Sequence, residues 1–225
     1  MQDDPRKTPE VFVAAVIFQL IDNELTVLLT QRQRDPFNGL WALPGGLVPL
    51  KETLLQATTR ILHEKTAVKL NQLGVVEQLY TFDTFAGNPN GPTVSVMHLG
   101  LGKDIVPKAT PLSRHSQFYL LKDVPELAFD HSTKIDFALQ RLRSKLSYTN
   151  AIFALLPTLF TMSQLQTAYE AVLGKKLDKR NFRKKFISLG LIQQTSEYHM
   201  SGAHRPARLY KFNSQTLEYL TRSFD

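Results

Sequence analysis

The chain opens on strand-like patterns and closes on helical ones. Residues 11–18 and 25–30 are runs of β-branched and apolar side chains joined by Asp22-Asn23, a turn-forming pair, and so predict an antiparallel hairpin. Residues 31–40 form a polar loop containing Pro36 and Gly39, Trp41-Ala42-Leu43 predicts a short extended piece, and Pro44-Gly45-Gly46 predicts a sharp turn. Over 52–65 the spacing becomes helical, with Leu54, Leu55, Thr58, Ile61 and Leu62 on one face. Further strands are expected at 75–82, 93–100 and 117–121, the first two separated by the Gly/Asn/Pro-rich loop 87–92. Strands grouped before and after a single helix predict a mixed α/β layer architecture, not a doubly wound parallel sheet.

From 132 to 146 the period is helical again, with Ile135, Ala138, Leu139, Leu142 and Leu146 on one stripe, and this helix is expected to connect two domains. Thr161-Met162-Ser163-Gln164 has the capping-box pattern and opens a helix that ends at Gly174. Asp178 then caps a second helix that stops at Gly190, so the pair predicts a helix-turn-helix. At about 100° per residue, Phe182, Phe186 and Leu189 share one stripe of the second helix, while Arg180 and Lys184 point away, flanked by Asn181, Arg183 and Ser188. Residues 191–195 and 207–212 resemble paired strands around the loop 201–206, a wing carrying His204 and Arg205.

Charge sharpens this division. Residues 1–140 carry 13 Lys and Arg against 15 Asp and Glu, a net of −2; residues 141–225 carry 14 against 5, a net of +9. A basic module on a near-neutral one suggests a polyanion partner, and on composition alone a solvated basic face is the competing explanation. Within the helix-turn-helix frame the exposed Arg, Lys and Asn side chains suit phosphates and base edges of double-stranded DNA. The fold expected is therefore α+β, an α/β sandwich domain over 1–146, connecting helix included, followed by a winged helix-turn-helix over 147–225. There is no cysteine, the run 11–21 is too short to span a bilayer, and the residues before it do not resemble a signal peptide, so a soluble cytoplasmic protein with no membrane partner is expected.

The segment around residues 46–68 resembles the signature of the Nudix hydrolases: a Gly, five residues, a Glu, seven residues, then an Arg-Glu-x-x-Glu-Glu cluster near a Gly. Gly46, Glu52, Arg60, Leu62, Glu64 and Val68 stand where that pattern wants them, but Ile61 and Lys65 replace two glutamates and Ala67 replaces the glycine. Diphosphate hydrolysis with a divalent metal needs several carboxylates, and Lys65 puts an ammonium where the resemblance would put the metal. No metal, no required cofactor and no appreciable hydrolase activity are expected. Either Lys65, or a basic neighbour such as Arg32, Arg34 or Arg60, neutralises a diphosphate without metal, or Arg60 and Glu64 form an ordinary i, i+4 pair and Lys65 is merely solvated.

Trp41 through Gly46, Phe129-Asp130-His131, Leu155-Leu156-Pro157, Phe160-Thr161, residues 177–185, Arg205-Pro206-Ala207 and Leu209-Tyr210 together are similar to the Nudix-related transcriptional regulators of NAD metabolism, the NrtR family. The resemblance implies a homodimer whose Nudix-like domain binds ADP-ribose or a related nucleotide effector and whose winged helix binds operators near NAD biosynthesis or salvage genes, with the effector weakening DNA binding. It also implies candidate roles. Arg32, Arg34, Phe37, Trp41, Gly45, Gly46, Arg60, Glu64 and Lys65 are candidates for the ligand pocket. Lys179, Arg180, Asn181, Arg183, Lys184, His204 and Arg205 are candidates for DNA. Trp41 has a core-filling alternative, and Gly45 and Gly46 have a purely conformational one. Asp130 and His131, just before the connecting helix, either report occupancy between domains or cap the helix. Two readings compete with the regulator: an active ADP-ribose or nucleotide diphosphatase with a basic appendage for RNA or protein, and a nucleotide sensor tethered to a protein.

Overall fold

Asp22 and Asn23 both sit at positive φ, 50° and 65°, and fold strand β1 (Glu10–Ile21) back onto β2 (Glu24–Gln31) as the hairpin the sequence predicts. The computed structural model describes residues 8–84, 92–200 and 206–220. β1 is the spine of a seven-stranded sheet: it pairs antiparallel with β2 and with β4 (Gly45–Leu47), and parallel with β6 (Thr93–Gly102). β5 (Leu73–Thr84) pairs with β6, while β3 (Trp41–Ala42) and β7 (Ser116–Leu120) both pair with β2. Of the loop expected at 87–92, residues 87–91 lie outside the described residues.

Around β4 and the helix that follows it, the fold differs from the expected pattern. The turn expected at Gly45-Gly46 is instead the strand β4, laid against Val13 and Ala14. Its glycines serve close approach rather than a turn: a Cβ on Gly45 would stand 2.7 Å from the Ala14 Cβ and 2.9 Å from the Val13 carbonyl oxygen. Helix α1 (Leu54–Thr66) starts two residues later than the expected position 52, because Thr53 is the N-cap of a capping box closed by Gln56. Leu55, expected on the buried face, is half exposed, and the buried residues are Ala57, Thr58, Ile61, Leu62 and Thr66.

The alternation of β1 explains the layering. Val13, Ala15 and Ile17 face one way, into the clusters built with α1; Ala14, Val16 and Phe18 face the other, into the cluster that holds helix α2 (His131–Tyr148). The predicted stripe of α2 is buried there at Ile135, Ala138, Leu142 and Leu146, with Leu139 packed at its margin. Helices therefore cover both faces of the sheet. Among the described residues no helix is long and apolar enough to cross a membrane.

The same cluster continues without a break into the C-terminal third. The sequence reading assigns no element to 147–160, yet a wholly buried 3₁₀ segment, Ala151–Leu155, and a short strand β8 (Phe160–Thr161) lie there. Both are too short to show a period, and they are defined by the partners they pack on. Helix α3 (Met162–Leu173) has the predicted Thr161–Gln164 capping box and ends at Gly174 in the left-handed region, φ 69°. Helix α4 (Lys179–Ser188) is capped by Asp178, whose carboxylate accepts the Asn181 N–H at 2.8 Å. Strands β9 (Ile192–His199) and β10 (Ala207–Phe212) form the wing, and β10 also pairs with β8. Tyr169 of α3 meets Phe182 and Phe186 of α4 at ring distances of 5.4 and 5.5 Å, locking the two helices together.

The turn between α3 and α4 is gathered by one carboxylate. Glu170 accepts hydrogen bonds from the Gln166 amide (2.9 Å), the Leu177 N–H (3.0 Å) and the Lys176 ammonium (2.8 Å). These donors, the lysine first, hold its carboxyl down at about 2. Because the folded value lies below the unfolded one, the stabilisation is present above the ordinary carboxylate range and is lost as pH falls toward 2. Glu170→Gln is accordingly expected to lower the thermal midpoint at pH 7. The gap to the parent protein should narrow steadily as melts are repeated from pH 5 downward; a gap independent of pH would contradict the clasp.

Candidate functional site

A cavity of about 660 Å³ opens beside β4, between the loop after β2, the last turn of α1 and the first turn of α2. Among the residues lining it are Arg32, Arg34, Phe37, Gly45, Gly46 and Lys65, brought together from three elements. Trp41, Arg60 and Glu64 are not part of that lining. Trp41 stands edge-on to Tyr119 at 5.0 Å, and its carbonyl accepts the Ala128 N–H at 2.8 Å, so it fixes the chain entering the cavity wall.

The wall is cationic. Arg32 donates through Nε to the Pro36 carbonyl (2.9 Å) and through Nη2 to the Arg34 carbonyl (3.2 Å), which fixes the guanidinium 4.7 Å from the Phe129 ring centre. Lys65, at the end of α1, is half-buried and makes no ion pair among the described residues. Its ammonium is pushed down to about 8, first by burial and then by the charges of Arg32 and Arg34. Phe37 and Phe129 meet edge to face at 4.8 Å and are both about 40 % exposed, and both are held at positive φ, 66° and 57°. Bulky residues rarely adopt that conformation, so the structure maintains two strained backbone sites to keep these rings at the cavity.

The floor comes from α2. His131 Nδ1 accepts the Leu43 N–H at 3.0 Å, which leaves the ring proton on Nε2. Burial, and then Lys134, hold this imidazole down at about 3. Lys134 has a buried side chain paired with Asp130 at 2.8 Å, and both line the cavity. Asp130 occupies the N-cap position without a capping hydrogen bond from its side chain; its carboxylate turns to Lys134 instead. Phe129 and Lys134 were not among the sequence-predicted site residues. Phe129 belongs to the string Phe129-Asp130-His131, but nothing local reveals that it meets Phe37, 92 positions away.

The hydrolase-like signature lies beside this cavity, and its remaining acids do not fit a divalent metal. Arg60 takes both oxygens of Glu52 through Nε (2.8 and 3.0 Å), adds Nη2 to Glu52 (2.9 Å), and reaches Glu64 through Nη1 at 3.1 Å. The i, i+4 pair weighed from the sequence is thus formed, with Glu52 joined to it. Ile61 is buried in an apolar cluster with Val13 and Ala57, and among the described residues no group of three His, Cys, Asp or Glu could hold a metal ion. Oxygen-seeking cations need such a group.

The second candidate surface is α4 and the wing. Lys179, Arg180, Asn181, Arg183 and Lys184 are all exposed, while Phe182 and Phe186 are buried beneath them. Arg183 Nη2 lies 3.3 Å from the Tyr210 hydroxyl. His204 and Arg205 lie outside the described residues. Arg208, missed in the sequence, donates to Gln194 (2.7 Å) and to the Tyr198 hydroxyl (2.5 Å), and with Lys179 and Arg183 it lines a groove between α3, α4 and the wing. Strict alternation would bury Arg208 with Tyr210 and Phe212, but a register shift between Arg208 and Tyr210 re-aims it.

Comparison with known proteins agrees with this two-part organisation. Residues 11–134 match the NUDIX domain model and residues 152–212 match the NrtR DNA-binding winged helix domain model. An ADPR responsive transcriptional repressor, NtrR, of Acinetobacter baylyi is 34% identical over 217 residues, 94% of this chain and 85% of that protein. The crystal structure of Shewanella oneidensis NrtR complexed with a 27mer DNA superposes with a TM-score of 0.78 at 31% identity, covering 96% of this chain and 99% of that one. The NUDIX domain of the same Shewanella protein, crystallised with ADP ribose, matches with a TM-score of 0.57 at 36% identity over 63% of this chain and 94% of that one.

The His131 environment gives a direct check. An NMR titration of the ring is expected to show the neutral Nε2–H form from pH 7 down to about pH 4, since the folded value lies near 3. Its share of stability is lost as pH falls from the ordinary histidine value of 6.5 toward 3, because only the unfolded chain takes the proton there. A midpoint near 6.5 would mean that the ring is not enclosed by α2 and Leu43.

Proposed function

This chain belongs to the NrtR family, and from that membership we propose that it is a transcriptional repressor that releases its operator when ADP-ribose, or a related NAD-derived nucleotide, fills the cavity beside β4. Residues 1–146 act as the nucleotide sensor and 147–225 as the DNA-binding part. The protein works in the cytoplasm as a homodimer, so that two α4 helices meet half-sites about one helical turn apart, or a multiple of that. The regulated genes are those of NAD biosynthesis or salvage.

The observation that carries this reading is the exchange of acid for base at one wall. Lys65 stands at a signature position where hydrolysis would need a metal-binding glutamate, and Arg32 and Arg34 crowd against it. Three converging cations favour a diphosphate, and the Phe37 and Phe129 rings beside them suit a base or ribose face. Gly45 and Gly46 line the same cavity, and their missing side chains make room for Ala14 and Ile61 behind the wall. Glu52 and Glu64 are held by Arg60, and among the described residues no cluster of acids could hold a metal, which supports a ligand bound without being consumed. A sensor requires that property. On the output side, Arg180, Lys184 and Asn181 project from α4 toward base edges, with Lys179, Arg183 and Arg208 suited to phosphates.

Linkage makes the reading testable: the factor by which the nucleotide weakens DNA binding must equal the factor by which DNA weakens nucleotide binding. Fluorescence anisotropy with DNA from upstream of NAD genes, at fixed near-physiological salt, is expected to show selective binding that ADP-ribose weakens by about tenfold or more. Arg180→Ala and Lys184→Ala should each weaken operator binding by about tenfold, whereas Lys65→Ala should leave it intact and abolish the response. With ADP-ribose and Mg²⁺, a coupled phosphatase assay is expected to show no turnover. Steady phosphate release without selective DNA binding would overturn the proposal in favour of a diphosphatase.

A further inference from the structure

Helix α2 touches both candidate sites. Its first turn supplies His131 and Lys134 to the nucleotide cavity, and two turns further on it lies against α3, the helix that positions α4. Ala138, Leu142 and Leu146 of α2 and Leu165, Ala168, Tyr169 and Val172 of α3 belong to one apolar cluster. Such packing transmits strain but is non-directional, and so fixes the rotation and sliding of a helix less tightly than a hydrogen bond does.

One contact between α2 and the helix-turn-helix is directional. Arg143 Nε donates to the Val172 carbonyl at 2.9 Å. Val172 lies in the last turn of α3, where carbonyl groups have no partner within the helix and the helix dipole is negative, so a guanidinium there caps α3 from another element. Gly174 makes room for it: a Cβ at that position would meet Arg143 Nη2 at 3.2 Å. This side-chain hydrogen bond joins α2 directly to α3. It grips α3 immediately before the turn that Glu170 gathers and that leads into α4. Arg143 is itself exposed, so the contact adds little to core stability.

We propose that Arg143 is the positioning residue through which occupancy of the nucleotide cavity is passed to the recognition helix, by pinning the C-terminal end of α3 to α2. A nucleotide drawing His131 and Lys134 shifts α2 along its own axis. Arg143 converts that shift into a displacement of the α3–α4 turn. This inference rests on the ligand-released repressor proposed above.

The test compares parent protein, Arg143→Ala and Arg143→Lys at full length. Three quantities are measured for each: operator affinity without nucleotide, ADP-ribose affinity without DNA, and the factor by which saturating ADP-ribose weakens operator binding. In Arg143→Ala the first two and the melting temperature are expected to stay close to the parent values, while the coupling factor collapses from about tenfold toward one. Lysine, which also donates to a carbonyl, should restore part of it. Retention of the parent factor in Arg143→Ala overturns the inference while leaving the repressor reading intact. A parent protein whose operator binding ignores ADP-ribose overturns both. Loss of DNA binding by Arg143→Ala without nucleotide would make the residue a structural support of α4 and would also overturn the inference.

Discussion

Like charges forced together at one wall of a cavity set most of what this protein can do. Arg32 is tied to the Pro36 and Arg34 carbonyls and cannot turn away, and Lys65 is carried to it by the last turn of α1. Burial compounds the repulsion, and the ammonium responds by giving up its proton more readily than a free lysine. An anion with two or more negative oxygens relieves this situation, and a divalent cation aggravates it. The position of Ile61, on the buried face of α1 and packed with Val13 and Ala57, closes the remaining route back to a carboxylate cluster.

The second constraint is that the two halves share one interior. Val16 and Phe18 of β1, Leu142 of α2, and Phe186 and Phe212 of the winged helix belong to a single apolar cluster, so α4 is not free of the sheet that holds the cavity. A flexible tether would average out any shift at the first site. A continuous, close-packed core carries strain from one half to the other instead. Phe129, strained and half exposed, and His131, neutral and enclosed, sit at the point where the cavity wall becomes the first turn of α2.

Much of this was legible in the sequence wherever the signal was local. The Asp22-Asn23 turn, the Thr161–Gln164 and Asp178 caps and the Phe182/Phe186 stripe are short-range patterns, and the elements appear where they place them. Gly45-Gly46 reads as a turn because glycine is ambiguous in isolation, and only the 2.7 Å clearance to Ala14 shows that it serves strand approach. The helix begins at Leu54 rather than 52 because the Thr53 hydroxyl, with Gln56 three residues on, closes a reciprocal cap, and Glu52 stays outside the helix, where it holds Arg60. Of the cavity, Arg32, Arg34, Phe37 and Lys65 lie close to the hairpin and the hydrolase-like segment, where the chemistry draws the eye. Lys134 and Phe129 come from residues nearly a hundred positions further on, and Arg208 depends on a bulge; such contacts are created by the fold.

The central claim is that three cations, and no metal, hold the diphosphate. Isothermal calorimetry of ADP-ribose with the full-length protein at pH 7, once in excess EDTA and once in millimolar Mg²⁺, tests it most directly. The account predicts the same affinity in both, with nucleotide recovered intact after the titration. Binding that appears only with Mg²⁺, or nucleotide that returns cleaved, would contradict it.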